Sequence, residues 1–372
     1  MSIKWPHPQK VTLPLVKPEL DNGEREELIN LFDSSLIGSI SPAISELEDR
    51  FNAILGTNSL LVSNGSVALM LAMRSLGLGP GDKILTSSFT YAATASSIIN
   101  IGAIPIFCEV DLGSWQISID SISRMYTPDC RAILVPHIYG VPANMDHIQQ
   151  FALAHELFVI EDCAESFLGQ YKNRPVGTIG DIGTFSFFPN KLITSGEGGL
   201  VISKNFKLAE KMRLLRGQGM DLENRYWFIE PGYNFRITGL QASILSVQLR
   251  EVESLWNYRE SSELVYRQNF QDILKWPETN YSILRSPWIF SATVENNRRS
   301  KRNLEIAENL AKRGIETRPL FYPLPTMPAF RGFPTDTIRN AKQISSKGIS
   351  LPTGRHVLEE HYEMIYSVIA NE

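Results

Sequence analysis

Residues 60–107 read LLVSNGSVALMLAMRSLGLGPGDKILTSSFTYAATASSIINIGAIPIF. Short apolar runs alternate here with segments of helical periodicity; the runs are 60–62, 83–85 and 105–107, and the helical segments are 67–76 and 91–101. This β-α-β-α-β order is typical of parallel strands joined by crossover helices. The stretch therefore predicts an α/β fold whose ligands bind at the carboxyl ends of the strands.

The same alternation continues along the chain. Further apolar runs occur at 132–135, 157–160, 184–187 and 200–202, with a helical segment at 145–155. Together they predict a mainly parallel central sheet covered by helices on both faces. A long helical segment, 239–264, looks like a connector to a smaller α+β unit. We expect a large domain over residues 1–250, including the N-terminal segment, and a small C-terminal domain over 251–372.

Composition argues against several classes of protein. The 372 residues carry a formal net charge of -4 and no long run of Lys or Arg, unlike a nucleic-acid binder. The six histidines are scattered and the three cysteines lack CxxC spacing, so no metal is expected. The dinucleotide and P-loop fingerprints are absent from the sequence. Without an apolar leader or a bilayer-spanning run, a cytoplasmic, disulfide-free protein is expected.

A phosphate-binding turn is predicted after the first strand. The segment Ser63-Asn-Gly-Ser66 precedes a helix that we expect to begin at Ser66. Unpaired N–H groups at a helix N-terminus bind phosphate, Gly65 permits close approach, and the Ser66 hydroxyl adds a donor. The alternative is that Ser66 simply caps its helix.

Two further side chains follow strands at the same edge of the sheet. Asp162 ends the run 158–162, where a buried carboxylate needs a cationic partner such as a protonated pyridine nitrogen. Tyr91 follows the run 83–85 and could lie flat against a planar cofactor. The alternatives are that Asp162 caps a following helix and that Tyr91 belongs to the core.

Lys191 follows a predicted buried strand, 184–188, and precedes a glycine-rich turn, Gly196-Glu-Gly-Gly199. An amine held in this way suits a Schiff base with a carbonyl cofactor, because the turn's backbone can lie close to a ligand. Considered alone, Lys191 could equally be a solvated surface charge, as most lysines are.

These features occur in the order phosphate turn, aromatic, aspartate, lysine. With the segments 184–191 (TFSFFPNK) and 232–241 (GYNFRITGLQ), the chain resembles the sugar-nucleotide aminotransferases of the DegT/DnrJ/EryC1/StrS family from Pro42 to the segment 319–323. The resemblance implies fold type I, like that of aspartate aminotransferase, and pyridoxal 5'-phosphate (PLP) as cofactor. Ser66 stands where Thr is common, and Ser41 where Gly is usual, but neither change removes required chemistry.

The resemblance also implies a role for each residue. Lys191 would hold PLP covalently and then move protons, Asp162 would pair with the pyridine nitrogen, and Tyr91 would stack on the ring. The remaining cofactor contacts are implied as follows: the phosphate would be bound by Gly65, Ser66 and Ser186, the 3-hydroxyl would be approached by Glu165, and the neighbouring subunit's phosphate would be reached by Asn234. A homodimer with shared active sites would then be the working unit.

The substrate is implied by the segments 213–221 and 225–228, which are similar to those of the branch that makes GDP-perosamine. This implies amino transfer from glutamate to C4 of GDP-4-keto-6-deoxymannose, for surface polysaccharides such as the O-antigen of lipopolysaccharide. Trp227 and Arg318 are weaker candidates for substrate contacts; the segment 226–228 could instead be a packed loop, and Arg236 and Arg318 could be structural.

Other functions stay open at this point. The substrate could be a dTDP- or UDP-linked 4-ketosugar, as in viosamine-type enzymes, or a plain amino acid and oxo acid. The chain could also be a non-catalytic PLP-binding regulator, or a structural α/β protein whose lysine is incidental. A dehydratase branch of the family carries His at the lysine position, so Lys191 favours amino transfer.

Overall fold

The computed structural model describes residues 4–280, 282–295 and 302–371. Its strands are β1 (Asn58–Val62), β2 (Lys83–Ser87), β3 (Ile104–Cys108), β4 (Cys130–Pro136), β5 (Phe158–Asp162), β6 (Gln170–Tyr171), β7 (Arg174–Pro175), β8 (Ile182–Ser186), β9 (Gly199–Ser203), β10 (Leu274–Lys275), β11 (Ile283–Leu284), β12 (Phe290–Val294) and β13 (Gly348–Leu351).

The helices are α1 (Asn22–Ser34), α2 (Pro42–Leu55), α3 (Gly65–Ser75), α4 (Ala92–Asn100), α5 (Ile119–Met125), α6 (Met145–Ala154), α7 (Phe206–Arg216), α8 (Gly239–Arg250), α9 (Val252–Asn269), α10 (Arg302–Lys312), α11 (Arg339–Lys347) and α12 (Glu359–Asn371). None of these helices, within the described ranges, is long and apolar enough to cross a membrane.

The central sheet has seven strands in the order β1-β9-β8-β5-β4-β2-β3. β9 is antiparallel to both of its neighbours, β1 and β8, whereas β8, β5, β4, β2 and β3 pair in parallel. The prediction of a mainly parallel central sheet is therefore confirmed. Because the parallel strands share a direction, the turns after β1, β2, β5 and β8 converge at one edge.

Alternating strand residues build the core on both faces of this sheet. Leu60 and Val62 of β1 join an apolar cluster with α3, α4 and α7, whereas Leu61 joins one with α2 and α8. Leu85 of β2 faces a third cluster, which includes α5 and α6. Burial of both faces explains why these strands read as continuous apolar runs. Packing on both faces therefore holds the strands in place, and with them the turns that follow the strands.

The segment after α9 builds a second, antiparallel sheet, β10-β12-β13, which shares a core with α10 and α12. β11 instead returns to β6, where Ile283 pairs with Tyr171. The division of the chain at residue 250 stays a prediction. The predicted single connector helix is wrong, because Glu251 ends α8 and begins α9 with backbone angles outside the helical range. The apolar periodicity continues across this break, so the pattern gave no signal for it.

Candidate active site

A cavity of about 750 Å³ opens where the strand ends converge. It brings together most of the residues singled out in the sequence. Its lining includes Gly65, Ser66, Tyr91, Asp162, Glu165, Ser186, Lys191 and Arg318. Asn234 and Trp227 lie outside the described lining of this cavity, and both are exposed.

Lys191 sits in a turn just after β8, and its backbone N–H donates to the Phe188 carbonyl at 2.9 Å. Its Nζ atom lies 4.4 Å from the centre of the Trp288 ring. Within the described part of the chain, the amine forms no ion pair with a carboxylate. Burial lowers the pKa of Lys191, and the negative charges of Glu165 and Asp162 oppose that shift. The lysine is therefore not an incidental surface charge, because it lines the cavity and burial lowers the pKa of its amine.

The strand before Lys191 is shorter than expected. We predicted a buried strand over 184–188, but β8 ends at Ser186 and Phe188 is exposed, so that part of the prediction is wrong. The chain leaves the sheet two residues early because it turns into the cavity edge, where Phe188 is a lining residue.

Asp162 is the last residue of β5, and its carboxylate is buried. The Thr94 hydroxyl donates to Oδ2 at 2.8 Å, and the Ala164 N–H donates to Oδ1 at 3.2 Å. Burial raises the pKa of Asp162, while these hydrogen bonds oppose the rise. The alternative of a helix cap does not apply, since a turn follows β5 rather than a helix. A cationic group in the cavity would stabilise this carboxylate.

Glu165 also lines the cavity and is buried. Its Oε2 accepts a hydrogen bond from the Tyr139 backbone N–H at 2.7 Å. Burial raises its pKa to about 7, although the Lys191 amine and the Tyr139 N–H favour the ionised form. The protonation of Glu165 therefore changes near neutral pH, beside the amine of Lys191.

The predicted phosphate turn closes one end of the cavity. α3 begins at Gly65, not at Ser66 as predicted, because the Asn64 side chain caps it by accepting from the Val67 N–H at 3.0 Å. Ser66 is thus not the cap. Its hydroxyl and that of Ser186 have no hydrogen-bond partner among the described residues, and a Cβ atom at Gly65 would lie 2.8 Å from the Ser186 Cβ.

Tyr91 lies at the start of α4, directly after the turn that follows β2. Its side chain is 62% exposed and lines the cavity, so it is not a core residue. Its ring centre lies 6.1 Å from that of Phe321. The exposed ring is thus accessible to a planar ligand in the cavity.

The more distant candidates differ in their surroundings. Arg318 lines the cavity, and its Nη2 lies 3.3 Å from Oε1 of Glu316. Arg236 donates from Nε to Oδ1 of Asn234 at 3.1 Å, outside the cavity. Trp227 is 68% exposed, so the alternative of a packed loop is wrong for its side chain.

Several residues that support the site were missed in the sequence. The Trp288 ring lies against the Lys191 amine and the Tyr139 N–H binds Glu165, but these contacts join segments that are distant in the sequence. Thr94, three residues after Tyr91, had a weak signal as a polar residue at the start of a helix on the cavity side. The Trp288 ring, the Tyr139 backbone N–H and the Thr94 hydroxyl thus contact Lys191, Glu165 and Asp162, the residues that the sequence did point to.

His137, Glu161 and Cys163 lie together beneath this edge of the sheet with their ligand atoms within 4.8 Å of one another. Each oxygen of Glu161 already accepts two hydrogen bonds, from His137 Nε2 and from three backbone N–H groups of the segment 177–180. The Ala143 N–H donates to His137 Nδ1 at 3.0 Å. Glu161 and His137 therefore form a hydrogen-bond network that stabilises β5 next to Asp162, and their ligand atoms are already occupied by these bonds.

The cavity fits PLP in its chemistry. The Ser66 and Ser186 hydroxyls, without hydrogen-bond partners in the described part of the chain, suit a phosphate together with the N-terminus of α3, and a side chain at Gly65 would crowd the Ser186 hydroxyl. The buried carboxylate of Asp162 suits a pyridinium nitrogen, and the unpaired amine of Lys191 suits a Schiff base. The residues present thus offer a partner for each polar end of the cofactor.

Comparison with known proteins agrees with this chemistry. Residues 18–370 match the DegT/DnrJ/EryC1/StrS aminotransferase family. The chain is 34% identical to the GDP-perosamine synthase of Caulobacter vibrioides, over 96% of the chain and 97% of that protein. It is 35% identical to the GDP-perosamine synthase of Escherichia coli O157:H7, over 92% and 93%.

Solved structures share the fold. The PLP form of the putative sugar aminotransferase Spr1654 from Streptococcus pneumoniae matches with a TM-score of 0.88 and 25% identity, over 96% of this chain and 99% of that one. A DegT DnrJ EryC1 StrS aminotransferase from Brucella abortus matches with a TM-score of 0.86 and 26% identity, over 94% and 95%. Aminotransferases of this family use PLP, so the predicted fold class, enzyme class and cofactor are confirmed. The chain belongs to the DegT/DnrJ/EryC1/StrS aminotransferase family and is one of its PLP-dependent sugar aminotransferases.

Proposed function

We propose that the enzyme transfers the amino group of glutamate to C4 of GDP-4-keto-6-deoxymannose and so forms GDP-perosamine. The observation that carries this proposal is the similarity to GDP-perosamine synthases from three bacteria, at 34%, 35% and 33% identity over nearly the whole chain. The product would serve surface polysaccharides such as an O-antigen.

A UDP-linked ketosugar is the second candidate. The chain is 33% identical to a UDP-N-acetyl-3-dehydro-alpha-D-glucosamine 3-aminotransferase of Acidithiobacillus ferrooxidans, although over 82% of its length. The longer coverage by the GDP-perosamine synthases favours the GDP sugar.

Residues of the cavity supply the cofactor contacts in this proposal. Lys191 would hold PLP covalently, Asp162 would pair with the pyridine nitrogen, and Tyr91 would stack on the ring. Glu165 would approach the 3-hydroxyl, and Gly65, Ser66 and Ser186 would bind the phosphate. When bound, PLP would supply an electron sink for the reaction.

Lys191 is the proton carrier of both half-reactions. Burial lowers the pKa of Lys191, and in its unprotonated form Nζ can accept the α-proton of glutamate once the donor occupies the cavity. In the second half-reaction Nζ donates a proton to C4 of the sugar. The Trp288 ring lies 4.4 Å from Nζ and supports the amine at the cavity wall between these steps.

A homodimer completes the site. Asn234 is exposed and lies outside its own chain's cavity, and its Oδ1 accepts from Arg236, which leaves the amide nitrogen as a donor. We expect that nitrogen to reach the phosphate bound by a second copy of this chain. Two-fold symmetric pairing would supply this contact to both sites.

Trp227 is the proposed contact to the nucleotide sugar. It is presented by a loop with its own hydrogen bonds, in which the Trp227 N–H donates to the Asn224 carbonyl at 3.0 Å and the Asp221 N–H to the Trp227 carbonyl at 2.8 Å. Replacement by alanine should slow the ketosugar half-reaction about tenfold and spare the glutamate half-reaction, because one pocket contact contributes about 1–3 kcal/mol. Equal loss in both half-reactions, measured by single-turnover absorbance, would count against a sugar contact.

The substrate is tested by competition. The protein is incubated with PLP, glutamate and equal amounts of GDP-4-keto-6-deoxymannose and dTDP-4-keto-6-deoxyglucose, and the products are identified by mass spectrometry. Selective amination of the GDP sugar supports the proposal. Preferential amination of the dTDP sugar moves the enzyme to the viosamine type, and a parallel incubation with a UDP-linked ketosugar tests the second candidate.

A further inference from the structure

Arg259 of α9 is a buried cation next to the catalytic segment. Its side chain is packed so closely that the residue is 4% exposed. Nη2 donates to the Lys191 carbonyl at 3.0 Å, and Nη1 donates to the carbonyls of Trp288 at 3.1 Å and Asn190 at 3.4 Å. The guanidinium thus binds the main chain of Lys191, which carries the amine, and of Trp288, which carries the ring.

The surroundings of Arg259 are unusual for a buried charge. Buried guanidinium groups are normally paired with carboxylates, because an isolated charge loses its hydration. Among the described residues, none offers Arg259 a carboxylate oxygen within 4.0 Å. Burial lowers its pKa to about 10, so it still carries a charge at neutral pH. Three backbone carbonyls of the active site therefore solvate this cation.

α9 is also connected to Glu165, through a series of contacts that begins at Glu263. Glu263, one helical turn after Arg259, binds Arg285 through a 2.7 Å contact between Oε2 and Nη1. Arg285 Nε donates to the Tyr139 carbonyl at 2.9 Å, and the N–H of Tyr139 donates to Glu165. One helix therefore holds the backbone behind both Lys191 and Glu165.

We propose that Arg259 is a positioning residue for Lys191, which fixes the main chain at Lys191 and Trp288 so that the amine is held on the ring and faces the cavity. This inference rests on the proposed role of Lys191 as cofactor anchor. The charge of Arg259 also contributes to the lowered pKa of Lys191, after the larger effect of burial. The hydrogen bonds of Arg259 thus fix the position of the amine, and its charge acts on the pKa of that amine in the same direction as burial.

The test separates charge from geometry with matched variants. Arg259→Lys keeps a cation but loses the fork that reaches three carbonyls, whereas Arg259→Met loses both. Arg267→Met is the control, because Arg267 lies on the same helix and also neighbours Glu263 but stacks on Trp276, away from the active-site carbonyls. Melting temperatures of all variants report any general loss of packing.

Two readouts are specific to the positioning role. In the cofactor-free protein, the pH dependence of Lys191 acylation, read by mass spectrometry, should give a higher pKa in Arg259→Met and an unchanged one in Arg259→Lys. After addition of PLP, covalent attachment to Lys191 should be about tenfold to a hundredfold slower in both variants, because a misplacement of about 1 Å costs this much. The control should match the wild type in both.

A folded Arg259→Lys protein that attaches PLP at the wild-type rate would overturn the inference, as would a folded Arg259→Met protein with the wild-type acylation profile. If Arg259→Met does not fold, the rate of PLP attachment in Arg259→Lys alone tests the inference. If the wild type attaches PLP elsewhere, the proposed function fails; the acylation profile needs no cofactor and still decides whether Arg259 acts on Lys191.

Discussion

Gly65 and Ser186 meet so closely that a Cβ atom at Gly65 would lie 2.8 Å from the Ser186 Cβ. The first residue of α3 is therefore packed against the last residue of β8 with no space for a side chain. This contact sets the distance between the helix N-terminus and the Ser186 hydroxyl, the two groups proposed to share the cofactor phosphate.

Gly65→Ala should weaken PLP binding about tenfold or more, because the added methyl group forces α3 and β8 apart at a cost of about 1–3 kcal/mol. Absorbance titration with PLP measures the affinity. Gly38→Ala is the control, since a Cβ at Gly38 would meet nothing within 4 Å. Unchanged affinity in Gly65→Ala would contradict the proposed cradle.

Glu165 should make the cofactor-free protein less stable as pH rises. Its pKa is raised from 4.5 to about 7 by burial, so between these values the folded protein binds a proton that the unfolded chain has lost. The free energy of unfolding should fall across this window, by about 3 kcal/mol at most. Glu165→Gln should remove that fall, as measured by urea unfolding at several pH values. The exposed Glu308 provides a control through Glu308→Gln; equal pH dependence in wild type and Glu165→Gln would contradict the raised pKa.

Variants at Asn234 and Lys191 should restore activity to each other when they are combined in one dimer. Lys191→Ala and Asn234→Ala would each be impaired alone, but a mixed dimer would contain one site with both native residues. Coexpression should restore about one quarter of wild-type activity, because about half of the dimers are mixed and each has one intact site. Lys191→Ala with Asp162→Ala is the control, since both changes affect the same chain's contribution and no intact site forms. Failure of the first pair to recover, with mixed dimers verified, would contradict a shared site.

The sequence predicted the scaffold well because its strands are buried on both faces. Their apolar runs are short, clear and separated by crossover helices, and the side chains that follow them project at one edge. Asp162, which ends β5, and Lys191, which follows β8, could therefore be assigned to one edge of the sheet from the sequence alone, whereas Ser186 is implied only by the family resemblance. The order of these features along the chain carried the family resemblance.

Details that depend on tertiary contacts could not be predicted in this way. Trp288 lies far from Lys191 in the sequence, and hydrogen bonds of Arg285, Ser286 and Trp288 to the backbone of distant segments bring its ring next to the amine. The start of α3 was misplaced by one residue because Asn64 and Ser66 are both good caps. Arg259 looks like one of many polar residues on a helix, and its burial depends on three carbonyls from other segments.

The covalent anchor is the most direct test of the account. The wild-type protein is loaded with PLP, reduced with sodium borohydride and digested, and the modified peptide is sequenced by mass spectrometry. We predict a single pyridoxyl group on Lys191, and none on the folded Lys191→Ala variant. A label on another lysine, or no label on the wild-type protein, would contradict the proposed role of Lys191.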